Sequence, residues 1–235
     1  LTEITSTDRY SLAATPPPGH QLKELNAGVL RLLQGGVVVV PTDTLYGLAA
    51  DVLNEAALSK VFDIKGRPAD LPLPVLVGDW EQVGMVAVVE NDDVEELVAE
   101  FWPGSLTVVL PKRAGLSPVV TGGRDTVAVR MPDHWVPLNL AANLGSPISG
   151  TSANRSGEPD LKSLDELKKI LGDRVDAIIE AGPSPGGTQS TIVDMTGNSP
   201  ALIREGATSF DEVLRVWKSV CEARSGTIEE GERHD

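Results

Sequence analysis

The chain has 235 residues, 41% of them hydrophobic and 23% charged, which is enough to build a buried core in one large α/β domain or two small ones. A formal net charge of −14 argues against broad nonspecific binding to nucleic acid, but not against anionic small molecules held in a local cationic pocket. Cys221 is the only cysteine, and His20, His134 and His234 are scattered, which excludes an internal disulfide and a cysteine-based zinc site and disfavours a histidine metal site.

Residues 1–20 read as a lead-in closed by Pro16-Pro17-Pro18-Gly19. Leu22, Leu25, Val29, Leu32 and Leu33 stand near helical spacing and predict a helix over 21–34, stopped by Gly35-Gly36. Residues 37–40 are four valines, a strand of the kind buried on both faces. Pro41-Thr42-Asp43-Thr44 breaks it, and a turn and strand resume over 45–51. Asn54 is placed to cap a helix to about Ile64, followed by a loop over 65–71 and a strand over 73–77. Helices are predicted over 79–90, 92–101 and 134–144, and strands over 106–110, 126–130 and 147–150. Ser163 with Glu166 makes a capping-box pattern for a helix to Leu171. Strands over 175–180, 190–194 and 201–204 follow, then a helix opened by Ser209 with Glu212 and running to about Val220. Residues 221–235 are a polar, charged tail, and no apolar run approaches membrane-spanning length. No signal peptide is evident, so a cytoplasmic location is expected. The fold class read from this order is α/β: one domain over 21–220, with flanking helices around a twisted, mixed β-sheet.

Polar residues gather just beyond the short apolar strands, where α/β proteins place ligands. Thr42, Asp43, Thr44 and Tyr46 could bind the ammonium and hydroxyl of a small polar molecule, or simply stabilise a turn. Lys65 and Arg67 flank Gly66, and in an extended loop both would point at one anion; the alternative is a solvated basic turn. Arg130 ends an apolar strand and either enters a pocket or snorkels to solvent. Ser149-Gly150-Thr151-Ser152-Ala153-Asn154 lets backbone amides approach a ligand, or caps a helix; the spacing of a P-loop is absent. Ser190 and Arg204 add a hydroxyl and a further cation, against the reading of edge-strand chemistry and a surface pair with Glu205. No Ser-His-Asp, Cys-His or metal-binding set is evident, which suits chemistry run by positioning and charge stabilisation.

Taken together, Pro41-Thr-Asp-Thr-Leu-Tyr-Gly-Leu48, Lys65-Gly-Arg-Pro68, Trp102-Pro-Gly-Ser-Leu-Thr107, Val127-Ala-Val-Arg-Met-Pro132, Ser149-Gly-Thr-Ser-Ala-Asn154, Ser190-Thr-Ile-Val-Asp194 and Arg204-Glu-Gly206 resemble the YrdC/TsaC family of threonylcarbamoyl-AMP synthases. Each stretch alone is weak; their order over residues 22–220 is specific. The resemblance implies a YrdC-like domain with a concave cationic cavity. It implies a cytoplasmic nucleotidyltransferase that condenses L-threonine, bicarbonate or CO2, and ATP, with Mg2+ accompanying the nucleotide, into threonylcarbamoyl-AMP and pyrophosphate. By the same likeness Thr42, Arg130 and Ser190 would contact threonine, while Lys65, Arg67, Thr151, Ser152, Asn154 and Arg204 would surround the phosphates and carbamate, with Lys65 and Arg67 catalytic. The adenylate would pass to a separate tRNA threonylcarbamoyl transferase, and the cavity could itself accept an RNA end weakly. Some two-domain relatives carry a histidine where this chain has Leu73-Pro74-Val75-Leu76-Val77, and those relatives have a further C-terminal domain; this chain resembles the single-domain branch.

Overall fold

Alternate valines of the 37–40 run point into two different cores. Val37 and Val39 join the larger one, with Leu58, Val61, Val75, Leu106, Val108, Val129 and Val193. Val38 and Val40 join the smaller one, with Leu25, Leu32, Val136, Leu140 and Ile148. All four valines are fully buried, each burial contributing on the order of 1.5–3 kcal/mol relative to exposure. The computed structural model describes residues 21–68, 70–161, 163–181 and 187–231; the expected lead-in over 1–20 lies outside them.

In chain order the elements are α1 (Gln21–Leu33), β1 (Val38–Val40), β2 (Gly47–Ala49), α2 (Glu55–Lys65), β3 (Val75–Leu76), α3 (Trp80–Val86), α4 (Asp92–Ala99), β4 (Leu106–Pro111), α5 (Pro118–Thr121), β5 (Thr126–Arg130), α6 (Trp135–Leu144), β6 (Ile148–Ser149), β7 (Thr151–Ser152), α7 (Leu164–Leu171), β8 (Ala177–Ile178), β9 (Thr191–Asp194), β10 (Ala201–Arg204) and α8 (Phe210–Gly231). The mixed α/β character agrees with the sequence, but the strands divide between two sheets. Four strands run in the order β7-β2-β1-β8 and six in the order β10-β9-β4-β5-β3-β6. Both sheets mix parallel and antiparallel pairs.

Local sequence accounts for most boundaries. The Asn54 side chain accepts from the Ala57 amide and starts α2, while the Ser163 and Glu166 capping box forms at α7. The Phe210 amide at the start of α8 donates to Glu205 Oε1 at 3.0 Å. The helix predicted over 79–90 stops at Val86, because Ala87 turns extended and bridges Lys112 beside the end of β4. Instead of ending near Val220, α8 continues, and Arg224 bonds Asp93 at 2.7 Å and Asn91 at 3.0 Å at the start of α4. Among the described residues no helix is long and apolar enough to cross a membrane.

Candidate active site on the open face of the six-stranded sheet

Strand periodicity builds the site floor. Leu106, Val108 and Leu110 of β4, Val127 and Val129 of β5, and Val193 of β9 face the larger core. The alternating residues face the other way: Thr107, Val109, Thr126, Ala128, Arg130, Ile192 and Asp194 line a cavity of about 820 Å³. Its second wall comes from Gly47, Thr151 and Ser152 of the four-stranded sheet. Gly150 is the joint at which the chain leaves β6 in one sheet and enters β7 in the other. A Cβ at this residue would stand 2.4 Å from Leu76 Cγ on the neighbouring strand β3, so glycine is required where the chain leaves β6.

The nine residues to which the resemblance gave a role, Thr42, Lys65, Arg67, Arg130, Thr151, Ser152, Asn154, Ser190 and Arg204, line this one cavity; Thr44 and Tyr46 line it too, and Asp43 does not. Arg124 adds a fifth cation to the lining, against the carboxylates of Glu158, Asp160 and Asp194. Neither His nor Cys lines it among the described residues.

Lys65 and Arg67 converge for a different reason from the extended loop expected. Lys65 is the last residue of α2, and Gly66 takes the left-handed conformation (φ 59°) that ends the helix. The Lys65 ammonium then donates to Ser152 O at 2.5 Å, Asn154 O at 2.9 Å and Asn154 Oδ1 at 3.0 Å. Burial, and secondarily Arg67, lowers its pKa to about 8, with Asp160 opposing. Arg67 reaches Thr151 Oγ1 at 3.4 Å and Pro72 O at 3.0 Å, and its Nε is buried with no hydrogen-bond partner. Burial holds this guanidinium below its ordinary range.

The 149–154 segment differs from both readings of it. Thr151 and Ser152 form strand β7, neither an open amide cradle nor a helix cap. The Ala153 amide donates to Tyr46 O and the Asn154 amide to Ser152 O. Ser152 Oγ donates to Asn154 Oδ1 at 2.7 Å, and Asn154 Nδ2 donates to Glu158 O at 2.6 Å. The segment therefore meets the cavity with side chains held by one another.

Arg130 enters the cavity and is buried. Its Nε donates to Gly104 O at 2.8 Å, one terminal nitrogen to Thr44 Oγ1 at 2.9 Å, and the other to Asp43 Oδ1 at 2.5 Å. Thr42 fulfils the turn reading as well as lining the cavity: its hydroxyl donates to Leu45 O at 2.6 Å and accepts from the amides of Thr44 and Leu45. Ser190 Oγ pairs with Thr107 Oγ1 at 2.8 Å, and Ser190 O accepts from Arg204 at 2.7 Å. The other terminal nitrogen of Arg204 donates to Gln189 Oε1. Arg204 sits low in pKa through burial first and Arg130 second, with Asp160 opposing, so these two cations feel one another across the site.

Sequence reasoning assigned no role to Thr107 or Gln189, and read Asp43 and Thr44 only as two polar groups among several. Thr107 carries a usable signal, a buried hydroxyl in an otherwise apolar strand. The Asp43–Arg130 pairing spans 87 positions and has no local signature.

Residues 31–206 match the Sua5/YciO/YrdC family model, whose description is telomere recombination. The chain belongs to the Sua5/YciO/YrdC family. It is 40% identical over 190 residues to threonylcarbamoyl-AMP synthase of Pyrococcus abyssi, covering 81% of this chain and 55% of that protein. Threonylcarbamoyl-AMP synthase of Bacillus subtilis is 38% identical over 211 residues, covering 89% and 61%. The chain thus spans well under two thirds of the length of these curated relatives. The crystal structure of P. abyssi Sua5 complexed with L-threonine superposes with a TM-score of 0.79 at 39% identity, over 83% of this chain and 57% of that one.

Proposed function

We propose that this chain is the catalytic unit of an L-threonylcarbamoyladenylate synthase, joining L-threonine, bicarbonate-derived CO2 and ATP. The observation that carries the reading is the convergence of Lys65 and Arg67, Arg130, and Arg204, from three separate segments, on one cavity beside paired hydroxyls. The curated names of the relatives, and the threonine bound to a relative of the same fold, support it.

The chemistry joins anions. Threonine's neutral amine attacks the carbon of CO2, the N–C bond forms, and a proton leaves to solvent. The resulting N-carboxy-threonine has two carboxylates and must meet the triphosphate. A carbamate oxygen then attacks the α-phosphorus, the bond to the β-phosphate oxygen breaks, and pyrophosphate leaves. Arg130, with Ser190 alongside, holds the threonine carboxylate, and the turn of Thr42 shapes that end. Arg67, Arg204, Lys65, Thr151, Ser152 and Asn154 hold the phosphates and carbamate, offsetting repulsion as charge moves to the leaving pyrophosphate. Magnesium accompanies the triphosphate, and Glu158 and Asp160 on the cavity wall are hard oxygen donors suited to it. The adenylate is consumed by a separate transferase acting on tRNA in the cytoplasm.

Pyrophosphate release tests the reading. It is expected only with ATP, threonine and bicarbonate together, and it should fall sharply with serine in place of threonine. Release independent of threonine would contradict it.

A further inference from the structure

We infer that Asp43 is a positioning residue for the amino-acid substrate, acting through Arg130. The inference rests on the reading of the cavity as a threonine site, and it adds a residue that never touches the ligand. Arg130 lines the cavity; Asp43 does not. Their side chains are 7% and 15% exposed, and Asp43 Oδ1 accepts from Arg130 at 2.5 Å.

A guanidinium carries five N–H groups in a rigid plane. Gly104 O, Thr44 Oγ1 and Asp43 Oδ1 take one each, on three different nitrogens. One N–H on each terminal nitrogen is left, the number a carboxylate needs for two-point binding. Two of the three partners are neutral, and Asp43 supplies the only charge. Without it a buried cation lacks its counter-ion, and no charged partner fixes the plane of the guanidinium. Asp43 also tempers the attraction: the ion pair is close to neutral, so the site selects a carboxylate by geometry more than by net charge. Arg204, held low in pKa by burial first and Arg130 second, lines the same cavity.

A purely structural clamp between the 42–47 turn and β5 would lower stability and weaken all ligands alike. Calorimetry on the full chain separates the two, using Asp43→Asn, Asp43→Glu, Arg130→Lys and the Asp43→Asn/Arg130→Lys double variant, with threonine and ATP titrated separately. Asp43→Asn should weaken threonine about tenfold and leave ATP within about twofold, while Asp43→Glu recovers part of the loss. In the Arg130→Lys background Asp43→Asn should change threonine affinity by less than about twofold, because the route through Arg130 is already broken. Unchanged threonine affinity in Asp43→Asn overturns the inference, as does an equal loss for both ligands. Failure of the wild-type chain to bind threonine removes the underlying reading itself, and is seen before any variant is compared.

Discussion

The ammonium of Lys65 donates to both oxygens of Asn154, the backbone carbonyl at 2.9 Å and the side-chain amide at 3.0 Å. With Ser152 O as a third acceptor, the end of α2 is tied to the turn that follows β7. This lysine organises the cavity wall as well as adding charge to it.

That burial has a measurable consequence for stability. The folded pKa of Lys65 is about 8 against an ordinary 10.5. Between those values the unfolded chain holds more protons than the folded one, so the Lys65 contribution to stability rises with pH across that window. Below it the charged lysine carries the full burial penalty, about 3 kcal/mol at the extreme. Denaturant unfolding of wild type and Lys65→Met, compared from about pH 7.5 to 10.5, should show wild type gaining relative to the variant as pH rises. A constant difference would contradict this account.

Arg67→Ala should separate activity from folding. Its contacts are one long bond, one ordinary bond and an orphaned Nε, so truncation should change stability by no more than about 1 kcal/mol. In the proposed reaction Arg67 faces the transferring phosphoryl group, and losing its charge should lower pyrophosphate release by about 100-fold or more. Steady-state kinetics beside a thermal melt reads both.

Gly150→Ala tests the joint between the sheets. The new Cβ would meet Leu76 Cγ at 2.4 Å and Cδ2 at 2.7 Å, and Leu76 is fully buried. A destabilisation of about 1–3 kcal/mol is expected. Combining it with Leu76→Ala should cost less than the sum of the two single changes, measured by urea unfolding.

His134 sets an acid limit. Its Nδ1 accepts from the Val136 amide at 3.2 Å and caps α6. Burial lowers its pKa below the ordinary 6.5, with Asp43 and Asp133 opposing. The unfolded chain therefore takes the proton first, and stability falls as pH drops below 6.5 toward the folded value. His134→Asn keeps a capping oxygen and removes the titration, so it should flatten the stability profile between about pH 7 and 5.

The sequence is informative where the cause is local. The valine run, the Asn54 cap and the Ser163–Glu166 box each act within a few residues, and each element stands where it was expected. The missed helix α5 had a local signal too: Ser117 caps it and Pro118 opens it. What escaped is non-local. A strand over 147–150 looks the same whether or not the chain changes sheets at Gly150. Arg130 at a strand end says nothing of Asp43, which in its own turn is an ordinary turn-former. The nine residues now lining one cavity were grouped by resemblance; the engagement of Lys65 with Asn154, 89 positions away, became visible only in three dimensions.

In the proposed reaction the cavity builds threonylcarbamoyl-adenylate. Rapid mass spectrometry of a reaction containing ATP, Mg2+, L-threonine and 13C-bicarbonate tests it directly. An adenylate heavier by one mass unit than the product from unlabelled bicarbonate is expected, absent when threonine is omitted and strongly reduced in Arg67→Ala. Binding of ATP and threonine without any labelled adenylate, or AMP released with no carbon incorporated, would contradict it.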